Sequence, residues 1–323
     1  MKPRLVFVHG IGGPRDPAAE LDAWLRALAE GARHAGHSHR VLDLVQGWAA
    51  DARFAYYGDL FGPPQSQGGA SETADEANAG TYADAVAELL RETIEERLAD
   101  PTLQDEAALL RRARAQLAPE GVPQGPGSGA RQLLTATNTL LALPGLRTFG
   151  RWASAGLMVG QLRQVDRYLR RGEPDEKGSA LDVRVRRRVE QALDPAGATL
   201  VVAHSLGTVV TLETLHAYPG EVPLLVTLGS PIGLRTAVRA RMLPQPVAVP
   251  RPVGRWLNFW DRDDLIVGAP RLERVVRPSV HSVLPVSRRV DSDGAWVHPA
   301  AKYLAQPAVA GPLVEAIETA AKP

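Results

Sequence analysis

The segment Thr199-Leu-Val-Val-Ala-His-Ser205-Leu-Gly-Thr-Val-Val210 constrains this chain more than any other. Its opening apolar, β-branched run reads as a strand buried on both faces of a parallel sheet. His204-Ser205-Leu206-Gly207 ends that run and leads without a spacer into a helical stretch. A serine on so sharp a strand-to-helix turn is held in strained dihedrals, with its hydroxyl lifted above the sheet edge. The residues two before and two after it must be small, and they are Ala203 and Gly207. The helix that follows aims free backbone N–H groups and its positive end at any anion formed there.

Other segments repeat the strand–helix rhythm. Leu5 to Val8 is a short apolar run broken by His9-Gly10-Ile11-Gly12-Gly13, and Leu21, Trp24, Leu25 and Leu28 then form one helical stripe. Arg40 to Val45 reads as a second strand. Leu181, Val185, Val189 and Leu193 line a helix; Thr199–Ala203, Leu224–Leu228 and Arg255–Trp260 read as strands; Gly207–Ala217 and Val309–Ala320 read as helices. The expectation is an α/β fold with a mostly parallel, doubly wound sheet, built from residues 1–46 and 181–323. Residues 47–180 read as a largely helical insertion, with Val86, Leu89, Leu90, Ile94 and Leu98 on one helix and a second helix over Leu103–Leu117. Its Gly-, Pro- and Ser-rich stretches, 62–80 and 121–129, have too little apolar surface to order themselves and are expected to be flexible.

Composition narrows the function. Of 323 residues 45% are hydrophobic, enough for a large core, and 37 Lys and Arg against 36 Asp and Glu leave no field that would draw nucleic acid. The run Arg184, Arg186, Arg187, Arg188 reads as a solvated helix face. The absence of cysteine excludes disulfides, thiolate metal sites and a cysteine nucleophile, and fits a reducing cytoplasm. No run has the length of a signal-peptide core or a membrane span, so a cytoplasmic protein is expected. His34, His37 and His39 lack acids at metal-binding spacing, and no metal or cofactor is expected.

Taken together, His9-Gly10-Ile11 behind the first strand, Ala203-His-Ser205-Leu-Gly207, Trp256-Leu-Asn-Phe-Trp-Asp261-Arg-Asp263-Asp264-Leu-Ile-Val and Gly294-Ala-Trp-Val-His298 resemble the α/β-hydrolase superfamily, in its lipase and esterase branch. The departure is Ala203, where the family usually carries glycine. The resemblance covers the sheet-forming segments and not the insertion. It implies Ser205 as nucleophile and backbone N–H groups of Ile11 and Leu206 as the oxyanion hole. It also implies an acid and then a histidine later in the chain, in that order. The acid matching the family position is Asp264, before Leu265-Ile266-Val267; Asp261 is the alternative and Asp263 trails. Of the histidines after Ser205, His216 lies on the elbow's own helix and His281 stands close behind the acidic turn, which favours His298. Ser230, in Thr227-Leu-Gly-Ser-Pro231, reads as structural, and Tyr56-Tyr-Gly-Asp-Leu-Phe61 is distinctive without an assignable role.

The implied activity is hydrolysis of an acyl ester, either a small molecule or a lipid, through an acyl-enzyme. An acyltransferase or amidase would use the same groups, and a non-catalytic protein docking a partner through the insertion is the competing class. Oligomeric state is not readable. As a cap over the site, the insertion would allow contact with a membrane surface. Leu133, Leu134, Leu140, Leu141, Leu143, Leu146, Leu157 and Met158 would then either line an acyl pocket favouring medium-chain esters or simply pack the cap onto the core.

Overall fold

The computed structural model describes residues 2–12, 15–62, 72–117, 128–143, 155–292 and 297–321, with backbone only at 72–81, 101, 102 and 157. Six strands form one all-parallel sheet: β1 (Arg4–Val8), β2 (Asp51–Ala55), β3 (Thr199–His204), β4 (Leu225–Leu228), β5 (Trp256–Asp261) and β6 (Pro285–Val290), in the order β2-β1-β3-β4-β5-β6. The chain thus starts in the interior of the sheet, steps one way to β2, and returns past β1 to build the other side. Right-handed crossovers in opposite directions put their helices on opposite faces. The crossover to β2 carries α1 (Pro17–His34) and α2 (Val41–Val45). The return to β3 carries α3 (Glu72–Ala99), α4 (Ala107–Leu117), α5 (Ser128–Leu140), α6 (Ala155–Leu169) and α7 (Leu181–Glu190). After β3 come α8 (Leu206–Leu215) and, behind β6, α9 (Ala300–Leu304) and α10 (Pro307–Ala320).

The strands show this two-sided burial residue by residue. Leu5 and Phe7 of β1 pack with Trp24, Leu28, Val309 and Leu313 on the α1–α10 face; Val6 and Val8 pack with Leu206, Val209 and the α3–α7 helices on the other. Strand alternation supplies both cores from one short apolar run. No helix among the described residues is long and apolar enough to cross a membrane.

The structure departs from the sequence expectations chiefly in its strand assignments. Residues 40–45 are helical, not a strand: a short apolar run is ambiguous between the two states, and here only Leu44 is buried while Leu42 is exposed. The strand beside β1 is instead Asp51–Ala55, inside the stretch assigned to the insertion. As an edge strand it pairs on one side only and does not need an apolar run. Pro285–Val290, at the opposite edge, was overlooked for the same reason; its proline sits at the first strand position, where a missing donor is harmless. Within 62–80, residues 72–80 are the opening turns of α3, and Ser128 and Gly129 begin α5; residues 63–71 and 121–127 lie outside the described residues. The segment is rich in Ala and Glu, whose helix propensity lets α3 extend from its buried half.

Arg186 is likewise not merely solvated. It bonds Asp182 at 2.7 Å and Glu213 at 3.3 Å. Glu213, on α8, also accepts from Tyr168 Oη at 2.6 Å and from Arg171 Nη2 at 2.7 Å. This buried network ties α6, α7 and α8 together, and breaking one partner would leave another buried charge uncompensated. Leu133, Leu140, Leu143 and Met158 of the helical segment belong to the same continuous apolar core as Val6, Val8 and Leu206.

Candidate active site

Strand order reverses between β1 and β3, and a crevice opens there beyond the carboxyl ends of the strands. Ser205 stands in it at the end of β3, with φ +53° and ψ −128°, a left-handed φ that a non-glycine residue adopts only under constraint. The turn is held by Ser205 N–H donating to Leu228 O at 3.0 Å. Two glycines make room for it. A Cβ on Gly207 would lie 2.3 Å from His9 O, and one on Gly10 would lie 2.5 Å from Ser205 Cβ. Ser205 is buried, and its Oγ has no hydrogen-bond partner among the described residues, unlike most buried hydroxyls.

Asp264 and His298 are brought together from loops behind β5 and before α9. His298 Nδ1 lies 2.8 Å from both Asp264 Oδ1 and Oδ2. Asp264 Oδ1 also accepts from Ile266 N–H at 3.0 Å, and Oδ2 accepts from Tyr303 Oη at 2.7 Å. Burial pushes the Asp264 carboxyl up, but the charge and hydrogen bond of His298, with the Tyr303 and Ile266 donors, outweigh it and hold it below the ordinary value. Gly229, at φ +54° behind β4, leaves room for the pair: a Cβ there would lie 2.6 Å from Asp264 Oδ2 and 3.3 Å from His298 Nδ1. The imidazole loop is fastened to the elbow by His204, whose Nε2 lies 2.6 Å from His298 O. Burial, and next the neighbouring His298, push the His204 imidazole well below its usual range, so it is neutral and donates to that carbonyl.

Asp261 does not reach His298. Its Oδ1 accepts from Asp263 N–H at 2.9 Å, which caps the acidic turn, and its Oδ2 accepts from Ser292 N–H at 2.7 Å, which ties that turn to the segment after β6. Ser230 bonds Thr208 and caps the turn at Pro231. Ile11 and Leu206, the expected oxyanion donors, flank the elbow; Leu206 opens α8, so its N–H has no partner within the helix. The Gly12 peptide beyond Ile11 is bracketed by Gln164 of α6, which receives Gly12 N–H at 2.9 Å and donates to Gly12 O at 3.1 Å. A cavity of about 130 Å³ lies against this arrangement, lined by Ile11, Trp24, Gln161, His204, His298 and Ala301.

Sequence reasoning missed Tyr303 and Gln164. Tyr303 lies five residues after His298, so the first turns of a helix starting at the imidazole would carry it back to the acid. Nothing local marks Gln164.

The buried phenols Tyr57, Tyr168 and Tyr303 are all pushed up, first by burial, with Glu213 adding to it at Tyr168 and Asp264 at Tyr303. A group whose folded value is raised contributes stability that is present below its unfolded value of about 10 and is lost as pH climbs toward the folded one. Unfolding free energy should therefore fall by about 1.4 kcal/mol per pH unit for each phenol above pH ~10. Urea titrations between pH 9 and 11 check this, and Tyr168→Phe should flatten the slope; an unchanged slope would refute it. Compared with family models, curated proteins and solved structures, the chain matches none.

Proposed function

We propose that the chain is a serine hydrolase of the α/β-hydrolase fold that cleaves a small acyl ester through Ser205, His298 and Asp264. The observation that carries this reading is the buried Asp264–His298 pair, fastened through His204 to a serine on a strained turn whose hydroxyl has no hydrogen-bond partner among the described residues. His298 takes the Ser205 proton as Oγ attacks the acyl carbon, while Asp264 holds Nδ1 protonated and stabilises the imidazolium. The N–H groups of Ile11 and Leu206 take the charge that develops on the carbonyl oxygen. His298 then protonates the leaving alcohol, and water, deprotonated by the same imidazole, releases the acid. A fluorophosphonate probe tests the reading: it should label Ser205 alone, and labelling of Ser230, or none, would sink it.

The substrate reading follows from the cavity. Of the leucines expected to form an acyl pocket, Leu133, Leu140 and Leu143 are packed into the core and Leu141 lies against it, Leu134 is exposed, and Leu146 and the Leu157 side chain lie outside the described residues; the space beside His298 and Ile11 is about 130 Å³, which suits a short acyl group. The expected order of kcat/KM on p-nitrophenyl esters is acetate or butyrate above octanoate. A rise of about 0.8 kcal/mol per added CH₂ out to octanoate would instead show a long apolar channel.

A further inference from the structure

Tyr56-Tyr57, distinctive in sequence but without an evident role, stands at the carboxyl end of β2, next to the loop that carries Ile11. The β1–β2 register pairs Val8 with Ala55, so the next residues of the two strands, His9 and Tyr56-Tyr57, emerge side by side. The His9 imidazole is buried in an aromatic cage, with ring centroids 4.0 Å from Tyr57, 5.3 Å from Tyr56 and 5.6 Å from Phe54. Tyr57 holds it by main chain and side chain. Its N–H donates to His9 Nε2 at 3.1 Å, and its hydroxyl donates to the His9 carbonyl.

A backbone N–H can only donate, so His9 Nε2 must be the bare nitrogen and Nδ1 must carry the proton. Nδ1 lies 2.7 Å from Gly10 O and therefore donates to it. That carbonyl belongs to the Gly10–Ile11 peptide, whose N–H is the proposed oxyanion donor. In a planar trans peptide the C=O and N–H point in opposite directions, so anchoring Gly10 O on one side aims Ile11 N–H to the other. The next carbonyls are held as well, Ile11 O by Arg15 Nη2 at 2.8 Å and Gly12 O by Gln164. Arg15 N–H in turn donates to Tyr56 Oη at 3.1 Å.

Resting on the functional reading above, we infer that His9 is the positioning residue for the Ile11 oxyanion donor, its tautomer set by the Tyr57 main-chain N–H and its carbonyl held by the Tyr57 hydroxyl. Neither side chain touches the substrate. Their effect is confined to the stabilisation of negative charge on a carbonyl oxygen.

The test compares phenyl acetate with O-phenyl thionoacetate, whose sulfur is a weak acceptor and gains little from an oxyanion hole. His9→Phe keeps an aromatic ring in the cage and removes both nitrogens. It should lower kcat on phenyl acetate by about 10²–10³, as loss of an oxyanion donor does, with KM and the thionoester rate nearly unchanged. Tyr57→Phe removes only the hydroxyl bond to the His9 carbonyl, and should shift the oxo-to-thiono ratio in the same direction by about tenfold. If His9→Phe does not fold, Tyr57→Phe decides. A loss equal on both substrates, or none on either, overturns the inference while leaving the triad intact. An inactive wild-type chain that no fluorophosphonate labels removes the functional reading and this inference with it.

Discussion

Ser205→Ala is expected to lower kcat for ester hydrolysis by about 10⁴–10⁶ and to abolish fluorophosphonate labelling, with the fold retained. The substitution removes one oxygen from a residue that holds its turn through backbone contacts: its N–H to Leu228 O and its C=O to Thr208 N–H at 2.9 Å. Since Oγ has no hydrogen-bond partner among the described residues, its loss breaks no bond there, and melting temperature should move by only a few degrees. Alanine keeps the strained φ at a similar cost. The variant thus separates chemistry from folding: unchanged turnover with a folded chain would end the proposal.

Asp264→Asn should reduce kcat by about 10⁴, far more than Asp261→Asn, which should cost less than tenfold. An asparagine oxygen in the Oδ1 position keeps the Ile266 N–H bond and stays near His298 Nδ1, but the amide group in the Oδ2 position brings a donor against both Nδ1 and Tyr303 Oη. The negative charge that would stabilise the imidazolium is lost, and a donor facing Nδ1 favours the tautomer with its proton on Nε2, the nitrogen that would accept from Ser205. Asp261 bonds Asp263 N–H in the acidic turn and Ser292 N–H just past β6, without reaching His298, and asparagine preserves one of these bonds. Matched kcat losses at the two positions would mean that the turn, not the Asp264–His298 bond, governs activity. The carboxylate also has a stability signature. Asp264 is held below its ordinary value, so its contribution is present above the unfolded value near 4 and is lost as pH falls through the folded one. Asp264→Asn should therefore be less sensitive to acid than the wild type, whatever it does to activity.

Local rules made the buried strands legible. Leu5–Val8 and Thr199–His204 are apolar because both of their faces are covered, and the abrupt strand-to-helix junction at Ser205 needs small residues that can be seen in the chain itself. The same rules failed at the edges of the sheet. Asp51–Ala55 and Pro285–Val290 answer to one neighbour each, so their composition is mixed, while Val41–Val45 carries an apolar run that helix and strand tolerate equally.

Within the candidate site, residue types and chain order pointed to Ser205, Asp264 and His298 because these roles require particular chemistry. Between Asp264 and Asp261 the sequence offers only resemblance, whereas the fold sets one carboxylate against His298 and the other against the Asp263 and Ser292 N–H groups. Gln164 and the His9–Tyr57 pair are out of reach of sequence, and Tyr303 leaves only its five-residue spacing from His298 as a signal. Each acts on a partner brought to it by strand register or by a helix crossing from elsewhere in the chain, and the hydrogen bond exists only once both are placed. The sequence by itself determined which side chains have the chemistry the proposal needs and the turn that presents Ser205, since both follow from side-chain type and local backbone sterics. Only the tertiary structure decided which groups aim them, because orientation in a buried site is set by contacts between segments whose separation along the chain carries no signal.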